Sequence, residues 1–305
     1  MNWIRTTIRK QAQFLLDNEQ HAMLYAAVLA LLPYTTWVSM VIIALVTLRK
    51  GWQKGLWLLV PAMAASFSLT LMSTSMVVAF ANVLLLFVPG FLAASILRQT
   101  ANWRAVAGLF LVQSFVGLFL VESNMPEFVM AQYKYLVSAL QELQHESTFL
   151  SFINDKSGIN QTVLAHYLLG LQALGIVFSA CIPLITARAL QSQLFYPGGF
   201  HKEMLSFRGN KIGLVVMMGM LFMAAQHNLL AISILPMLMC YFLLAGLSLS
   251  FNVLAKQASL WSLALVLVTI FLIPFIMLPV YVIVGSLDSI FNFRLYLPLG
   301  AGKAI

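Results

Sequence analysis

The sequence predicts an all-α fold, a polytopic bundle of transmembrane helices. Of the 305 residues, 61% are hydrophobic and only 9% are charged, and the apolar residues gather in long blocks. A soluble domain carries about 25% charged residues, so this composition could not cover a surface that faces water. A hydrocarbon core about 30 Å thick needs roughly 20 helical residues to cross it, and most of the blocks are at least that long.

Eight apolar blocks approach this length, and we expect all of them to be helical. A helix satisfies its own backbone hydrogen bonds inside lipid, and the blocks lack the strict alternation of apolar and polar residues that a membrane barrel shows. Together they predict a single membrane domain over residues 1–305. The blocks are 22–48, 56–72, 75–97, 105–121, 162–187, 212–226, 229–254 and 258–285.

Lysine and arginine mark one side of the predicted bundle. They follow every second block, whereas the connection 122–161 holds most of the nine acidic residues. Because positive charge is retained on the cytoplasmic side, this pattern orients the chain in a bacterial cytoplasmic (inner) membrane and explains the net charge of +8 without nucleic acid. The basic residues of that side are Arg49, Lys50, Lys54, Arg98, Arg104, Arg188, Lys202, Arg208, Lys211 and Lys256.

The basic ends of the chain bear on how the first and last blocks cross the membrane. If block 22–48 crossed the membrane once, the basic N-terminal segment would lie on the wrong side. Pro33 can break this block into two arms too short to span singly, and Pro274 and Pro279 can do the same in the last block. We therefore expect Pro-broken hairpins and two cytoplasmic ends; a simple proline kink is the alternative.

Two segments outside the blocks read as amphipathic. Residues 1–20 are basic, carry no cleavage site of a signal peptide and fit a helix on the membrane surface. In the extracytoplasmic connection 122–161, Asn124 can cap a helix with Glu127 three residues later. This helix could cover an outward-facing cavity or rest on the interface. Its apolar residues recur at helical spacing: Val129, Tyr133, Leu136, Leu140 and Leu143.

Polar residues inside the blocks are the candidates for a ligand cavity. No Asp, Glu, Lys or Arg lies near the middle of a block, which argues against a proton-relay pump. Asn82, Gln113, His166 and Gln172 could line a cavity for a small solute if they converge. Each could instead make a hydrogen bond between helices.

The sequence offers no catalytic, metal or cofactor site. One histidine at membrane depth cannot hold zinc, which takes three or four ligands, and no nucleophile elbow, phosphate loop or zincin motif occurs. We therefore expect no catalytic residue, no metal and no cofactor. A membrane-embedded enzyme acting on lipid is the least favoured alternative.

The most distinctive polar segment is the cytoplasmic loop 188–211. Pro197, Gly198 and Gly199 force a turn, and Tyr196 and Phe200 beside it can lie at the headgroup level. This loop is a candidate interaction site. Its residues are Arg188, Tyr196, Pro197, Gly198, Gly199, Phe200 and Arg208.

At these residues the chain resembles a known family. Arg188, the Tyr-Pro-Gly-Gly-Phe run and a C-terminal motif with Gly285, Asp288, Phe293 and Arg294 resemble the YybS-like predicted bacterial membrane proteins, whose function is unknown. That family is similar in architecture to the substrate-binding S components of energy-coupling-factor transporters. The resemblance implies a helix that docks onto a partner membrane subunit through small residues four apart. Here these are Ala22, Ala26 and Ala30.

These observations give two hypotheses for function. The first is that the chain binds or translocates a small solute within the bilayer, as a transporter component does, without an ATPase of its own. The alternative is a non-catalytic membrane scaffold that uses the loop 188–211. A carrier needs a closed cavity lined by polar residues, whereas a scaffold packs them against neighbouring helices.

Overall fold

The chain is helical throughout the part that the structure describes. The computed structural model describes residues 2–32, 34–142, 160–255, 268 and 272–296, and no strand forms in these ranges. The predicted all-α class is confirmed. The helices are α1 (Asn2–Asp17), α2 (Glu19–Leu31), α3 (Thr36–Lys50), α4 (Trp52–Leu71), α5 (Met76–Thr100), α6 (Trp103–Asn124), α7 (Pro126–Glu142), α8 (Gln161–Phe195), α9 (Gly199–Ser206), α10 (Lys211–Ala225), α11 (Leu229–Ala255), α12 (Pro274–Phe291) and α13 (Phe293–Tyr296).

Six of the described helices are long and apolar enough to cross a membrane. The pair α9 and α10 would pass the same test together but is bent by 47°. The chain is therefore a multi-pass helical membrane protein, as its composition predicted, while the predicted count of eight blocks is not confirmed. The six helices are α4, α5, α6, α8, α11 and α12.

The first block, 22–48, lies on two short helices rather than on one span. Helix α2 has 13 residues and α3 has 15, so each is shorter than the roughly 20 residues that a crossing needs. Tyr34 between them has a left-handed backbone with φ 67°, a conformation that does not continue an α-helix. Pro33, which we expected to break this block, lies outside the described residues.

Helices α2 and α3 fold back on each other. Ser39 Oγ in α3 donates a hydrogen bond of 2.7 Å to the carbonyl oxygen of Ala26 in α2. At the far end, Lys50 Nζ lies 2.9 Å from Glu19 Oε1. Because partners become more distant in sequence away from the connection, the helices run antiparallel and the start of α2 meets the end of α3.

The small-residue face of α2 is covered by the chain itself. Ala22, Ala26 and Ala30 are 0%, 0% and 1% exposed and belong to a core formed with α3, α4, α5 and α8. In this structure these alanines therefore face helices of the same chain, and docking onto a partner subunit stays a prediction. Small side chains four apart do allow close helix approach, but the helices that approach belong to the same chain.

The last block also differs from its prediction at Pro279, which does not break a helix. Residues 258–285 lie partly outside the described residues, and α12 begins at Pro274. Proline at the first turn costs no backbone hydrogen bond, so Pro274 starts a helix here. The helix continues through Pro279 to Phe291, so Pro279 does not break it.

The helix predicted in the connection 122–161 is present as α7, but Asn124 does not cap it. Helix α7 buries Val129 and Tyr133, as expected for the apolar face. Asn124 is the last residue of α6, and its Nδ2 donates to the carbonyl oxygen of Leu120 over 2.9 Å. Its side chain therefore does not cap α7. Residues 143–159 lie outside the described residues.

The chain divides into two compact units. Unit 1 comprises residues 1–110 and 175–206, and unit 2 comprises residues 111–174 and 207–305. In unit 1, Ile43, Phe87 and Leu184 are completely buried in the core. In unit 2, α11 and α12 pack closely along each other, and this pairing positions one of the two sites described next.

Candidate functional site

A tight turn after α8 carries the aromatic and glycine residues of the candidate interaction loop. The amide of Gly199 donates to the carbonyl oxygen of Tyr196 over 2.9 Å, and Gly198 has φ 84°. This left-handed backbone favours glycine. Ser192 Oγ, one helical turn earlier, donates to Tyr196 O over 2.9 Å and accepts from the amide of Phe200 over 3.0 Å. One serine thus holds both ends of the turn.

An ion pair ties the helix after the turn to the helix before it. Arg188 in α8 donates through Nε to Glu203 Oε2 in α9 over 3.0 Å and through a second nitrogen to Oε1. This bidentate geometry fixes orientation as well as distance. The same guanidinium donates to Gln191 Oε1 over 2.6 Å, and Gln191 donates to the carbonyl oxygen of Leu48.

A tryptophan completes this network within unit 1. Trp103 Nε1 at the start of α6 donates to Glu203 Oε2 over 3.0 Å, and its ring lies edge-on to that of Phe200, with centroids 6.4 Å apart. Arg188, Glu203 and Trp103 together form what we call the loop anchor. Because three helices contribute to it, the loop anchor fixes α9 and the turn against the rest of unit 1.

The loop anchor sets the ionisation of Glu203. Burial raises the pKa of this carboxyl group by removing water, but the hydrogen bonds from Arg188 and Trp103 lower it by more. The pKa of Glu203 therefore lies below the usual glutamate range. Its charge is present throughout the physiological pH range.

We expect Glu203→Gln to lower the thermal stability of the protein at neutral pH, because Arg188 loses its carboxylate partner. The loss should be about 2 kcal/mol. Since the pKa of Glu203 is lower in the folded state than in the unfolded state, this contribution is complete at pH values well above the ordinary glutamate pKa of about 4.3 and is lost as the pH falls through the folded value. Melting in detergent from neutral pH to about pH 3 should show the difference from the wild type shrinking. Glu127→Gln, at an exposed position of α7, is the matched control, and a difference that stays constant with pH would contradict the assignment.

The outer face of the turn is open. Tyr196 is 67% exposed, and His201 and Lys202 at the start of α9 are exposed as well. Arg49, at the end of α3, lies 4.0 Å from the ring centroid of Phe195, which is a cation–π contact. The loop therefore presents an exposed aromatic side chain among basic groups.

A second charged cluster lies in unit 2 and contains the C-terminal motif. Asp288 in α12 is 0% exposed, and its Oδ2 lies 3.2 Å from Arg294 Nε and 3.8 Å from Arg208 Nε. Arg208 also donates to the backbone carbonyls of Asp288 and Ser289 over 2.8 and 3.1 Å. Arg294 donates to the carbonyl oxygen of Phe207 over 2.6 Å. The cluster thus joins the end of α12 to the segment before α10.

Two glycines bring Asp288 to this position. A Cβ atom on Gly285 would overlap the carbonyl oxygen of Phe242, and one on Gly246 would overlap that of Tyr281. The backbones of α11 and α12 are therefore in contact. Asp288 follows Gly285 by about one helical turn, so the close crossing also buries its carboxylate.

Some of the predicted site residues lie together in the structure, and others do not. Arg188 joins the loop anchor, and Arg208, Asp288 and Arg294 form one cluster. Sequence reasoning did not single out Trp103, Ser192 or Gln191 as site residues. The spacing of Arg188 and Gln191, three apart on one helix face, was a usable signal for the last of these. The contacts of Ser192 depend on the backbone of the turn that follows it, and the contact of Trp103 with Glu203 depends on tertiary structure.

The four candidate cavity residues do not share an environment. Asn82 and Gln172 are exposed on their helices, so they do not line a closed cavity. His166 is 5% exposed and its Nδ1 lies 2.8 Å from the carbonyl oxygen of Thr162, as in a hydrogen bond within a helix. Gln113 is half-buried, and its Oε1 has no hydrogen-bond partner in the described part of the chain.

No group of three or more His, Cys, Asp or Glu side chains within the described ranges could hold a metal ion. Comparison of the chain with protein-family models, curated proteins and solved structures found no match. The resemblance to the YybS-like proteins therefore stays a hypothesis that depends on the residues quoted for it.

Proposed function

We propose that this chain is a non-catalytic interaction protein of the bacterial cytoplasmic membrane, which presents the turn at residues 196–200 to a partner protein. The observation that carries the proposal is that Tyr196 is 67% exposed on a turn fixed by Ser192 and the loop anchor. A large aromatic side chain held in one place loses little entropy on binding. Exposed tyrosines of this kind are frequent anchors in protein interfaces.

The proposal places the turn on the cytoplasmic side. Arg188 and Lys202 border it, and the positive-inside rule assigns such segments to the cytoplasm. The antiparallel hairpin of α2 and α3 supports a cytoplasmic N-terminal segment too, because it joins Glu19 to Lys50 at the end of α3. Both features agree with the charge pattern of the sequence.

Photo-crosslinking tests whether the turn meets a protein. A benzophenone amino acid at position 196 of the full chain, irradiated in cells, should give a discrete protein adduct. The matched control is the same probe at Tyr135 in α7, which is 76% exposed but lies in the opposite connection, and it should not give that adduct. Adducts with lipid alone at position 196 would reject the proposal and assign Tyr196 to the membrane interface.

We expect Gly198→Val to abolish the crosslink while leaving the amount of protein in the membrane unchanged. Gly198 has φ 84°, and a branched side chain in this conformation costs about 1–2 kcal/mol, so the turn changes shape. No atom lies within 4 Å of the new Cβ, so this atom causes no clash with the rest of the protein. Quantitative blotting of membranes and of the adduct measures both effects. Gly199→Ala is the control, since its Cβ would meet only ordinary contacts at 3.5 Å, and equal crosslinking of both variants would count against a shaped turn.

Solute binding is the second candidate, and Gln113 is the observation in its favour. Its buried, unpartnered Oε1 is an acceptor that a ligand could use, because buried polar atoms normally have a partner. Mass spectrometry of small molecules that co-purify with the protein, compared between the wild type and Gln113→Leu, tests this. A compound that the variant loses would support a carrier; identical spectra would remove the reason for proposing one.

A further inference from the structure

Helix α1 has one buried side and one basic, exposed side. Ala12 and Leu16, one turn apart, are 4% and 5% exposed and belong to the core of unit 1. Arg9 and Lys10 are exposed, and the ring of Phe14 is 40% exposed. The helix is thus anchored through its small apolar side and displays cations together with an aromatic ring.

The end of α1 lies at the basic end of unit 1. Glu19, which starts α2 after a single intervening residue, accepts hydrogen bonds from Lys50 and Lys54 over 2.9 and 2.7 Å. Those two lysines stand at the end of α3 and the start of α4. In the orientation proposed above this end faces the cytoplasm, which would place α1 beside the headgroups of the inner leaflet.

Arg9 and Lys10 of α1 are not neutralised by acidic side chains in the part of the chain that the structure describes. Hydrogen bonds from Lys54 and Lys50 lower the pKa of Glu19, so this carboxylate is ionised and bound to both lysines. Neither Arg9 nor Lys10 forms an ion pair with an acidic side chain of the described residues. Two unpaired cations beside a lipid surface attract negative charge.

We propose that the exposed face of α1, formed by Arg9, Lys10 and Phe14, binds the headgroups of anionic phospholipids. The guanidinium and ammonium groups supply donors and charge for a phosphodiester. An aromatic ring beside them is suited to the membrane–water interface. This inference concerns lipid, not the protein partner of the turn, so either can fail without the other.

The test titrates lipid into the purified full chain in a neutral detergent and follows thermal unfolding. Phosphatidylglycerol should raise the melting temperature of the wild type, whereas phosphatidylcholine should have little effect. Each cation near an anionic surface is worth about fivefold in affinity, so Arg9→Gln combined with Lys10→Gln should raise the half-maximal phosphatidylglycerol concentration by roughly thirtyfold. Because both side chains are exposed, the double variant should melt normally without added lipid.

Two controls make the result specific. Lys134→Gln removes an exposed cation from α7 in the opposite connection and should titrate like the wild type. Inorganic phosphate at the same concentrations should not reproduce the stabilisation. An unchanged phosphatidylglycerol response in the double variant, an equal response to phosphatidylcholine, or equal protection by free phosphate would each overturn the assignment.

Discussion

Gly285→Ala should prevent α11 and α12 from packing and should sharply reduce the amount of folded protein. The added Cβ would overlap the carbonyl oxygen of Phe242 and approach the amide nitrogen of Gly246 to 2.6 Å. Both neighbours are backbone atoms of a helix, so they cannot move aside as a side chain does. The helices must separate, at a cost of about 3 kcal/mol, the upper end for overpacking. Size-exclusion chromatography in detergent and thermal unfolding measure the loss.

The chain offers a matched control in the same unit. Gly219 in α10 has no atom within 4 Å of its added Cβ, so Gly219→Ala should be neutral or slightly stabilising, since alanine favours a helix by up to about 1 kcal/mol. Gly246→Ala should behave like Gly285→Ala, because its Cβ would overlap the carbonyl oxygen of Tyr281. If Gly285→Ala melted like Gly219→Ala, the close crossing of α11 and α12 would be wrong.

The fold class could be predicted from the sequence because the bilayer sets the length and polarity of a membrane helix. Whether one apolar block forms one helix could not be predicted in this way. Block 22–48 is apolar from end to end, yet Tyr34 adopts a left-handed backbone and the two halves pair. Apolarity measures compatibility with lipid, and it is the same for a crossing helix and for two helices that fold back on each other.

Local motifs failed where tertiary contacts or neighbouring helices compete for the same residue. The spacing of Ala22 and Ala26 correctly indicated a face for close packing, but spacing does not reveal whether the packing helix belongs to this chain. Asn124 has the residue type and spacing of a helix cap. Helix α6, however, extends to Asn124. The side-chain amide of Asn124 donates to the carbonyl oxygen of Leu120, so this side chain does not cap α7.

The two charged clusters differ in what the sequence could reveal. Arg208 and Asp288 are 80 residues apart, and no periodicity joins them; the family resemblance included Asp288 and Arg294 but not Arg208. The pairing of Arg188 with Glu203 depends on the turn at Gly198, which reverses the chain between them. In both clusters a glycine determines which charges meet, at Gly198 through its left-handed backbone and at Gly285 through the absence of a Cβ atom.

Asp288→Asn is expected to be the most damaging charge substitution in the described part of unit 2. The asparagine keeps the size of the side chain but removes the negative charge from between Arg208 and Arg294, whose side chains are only 16% and 14% exposed. Two largely buried cations would then face each other without the carboxylate between them, which costs about 3 kcal/mol. Thermal unfolding should show a lower melting temperature that added salt restores poorly, because screening is weak at buried sites.

A double-mutant cycle separates this ion pair from a general loss of packing. Because the two side chains are in direct contact, Asp288→Asn combined with Arg294→Gln should cost less than the sum of the two single variants, with a coupling of about 1–3 kcal/mol. Asp17→Asn, at an exposed position of α1, controls for the chemistry of the substitution and should be silent. Additive effects in the cycle would mean that Asp288 and Arg294 lie close together without stabilising each other, and the cluster would then lose its role in joining the end of α12 to the segment before α10.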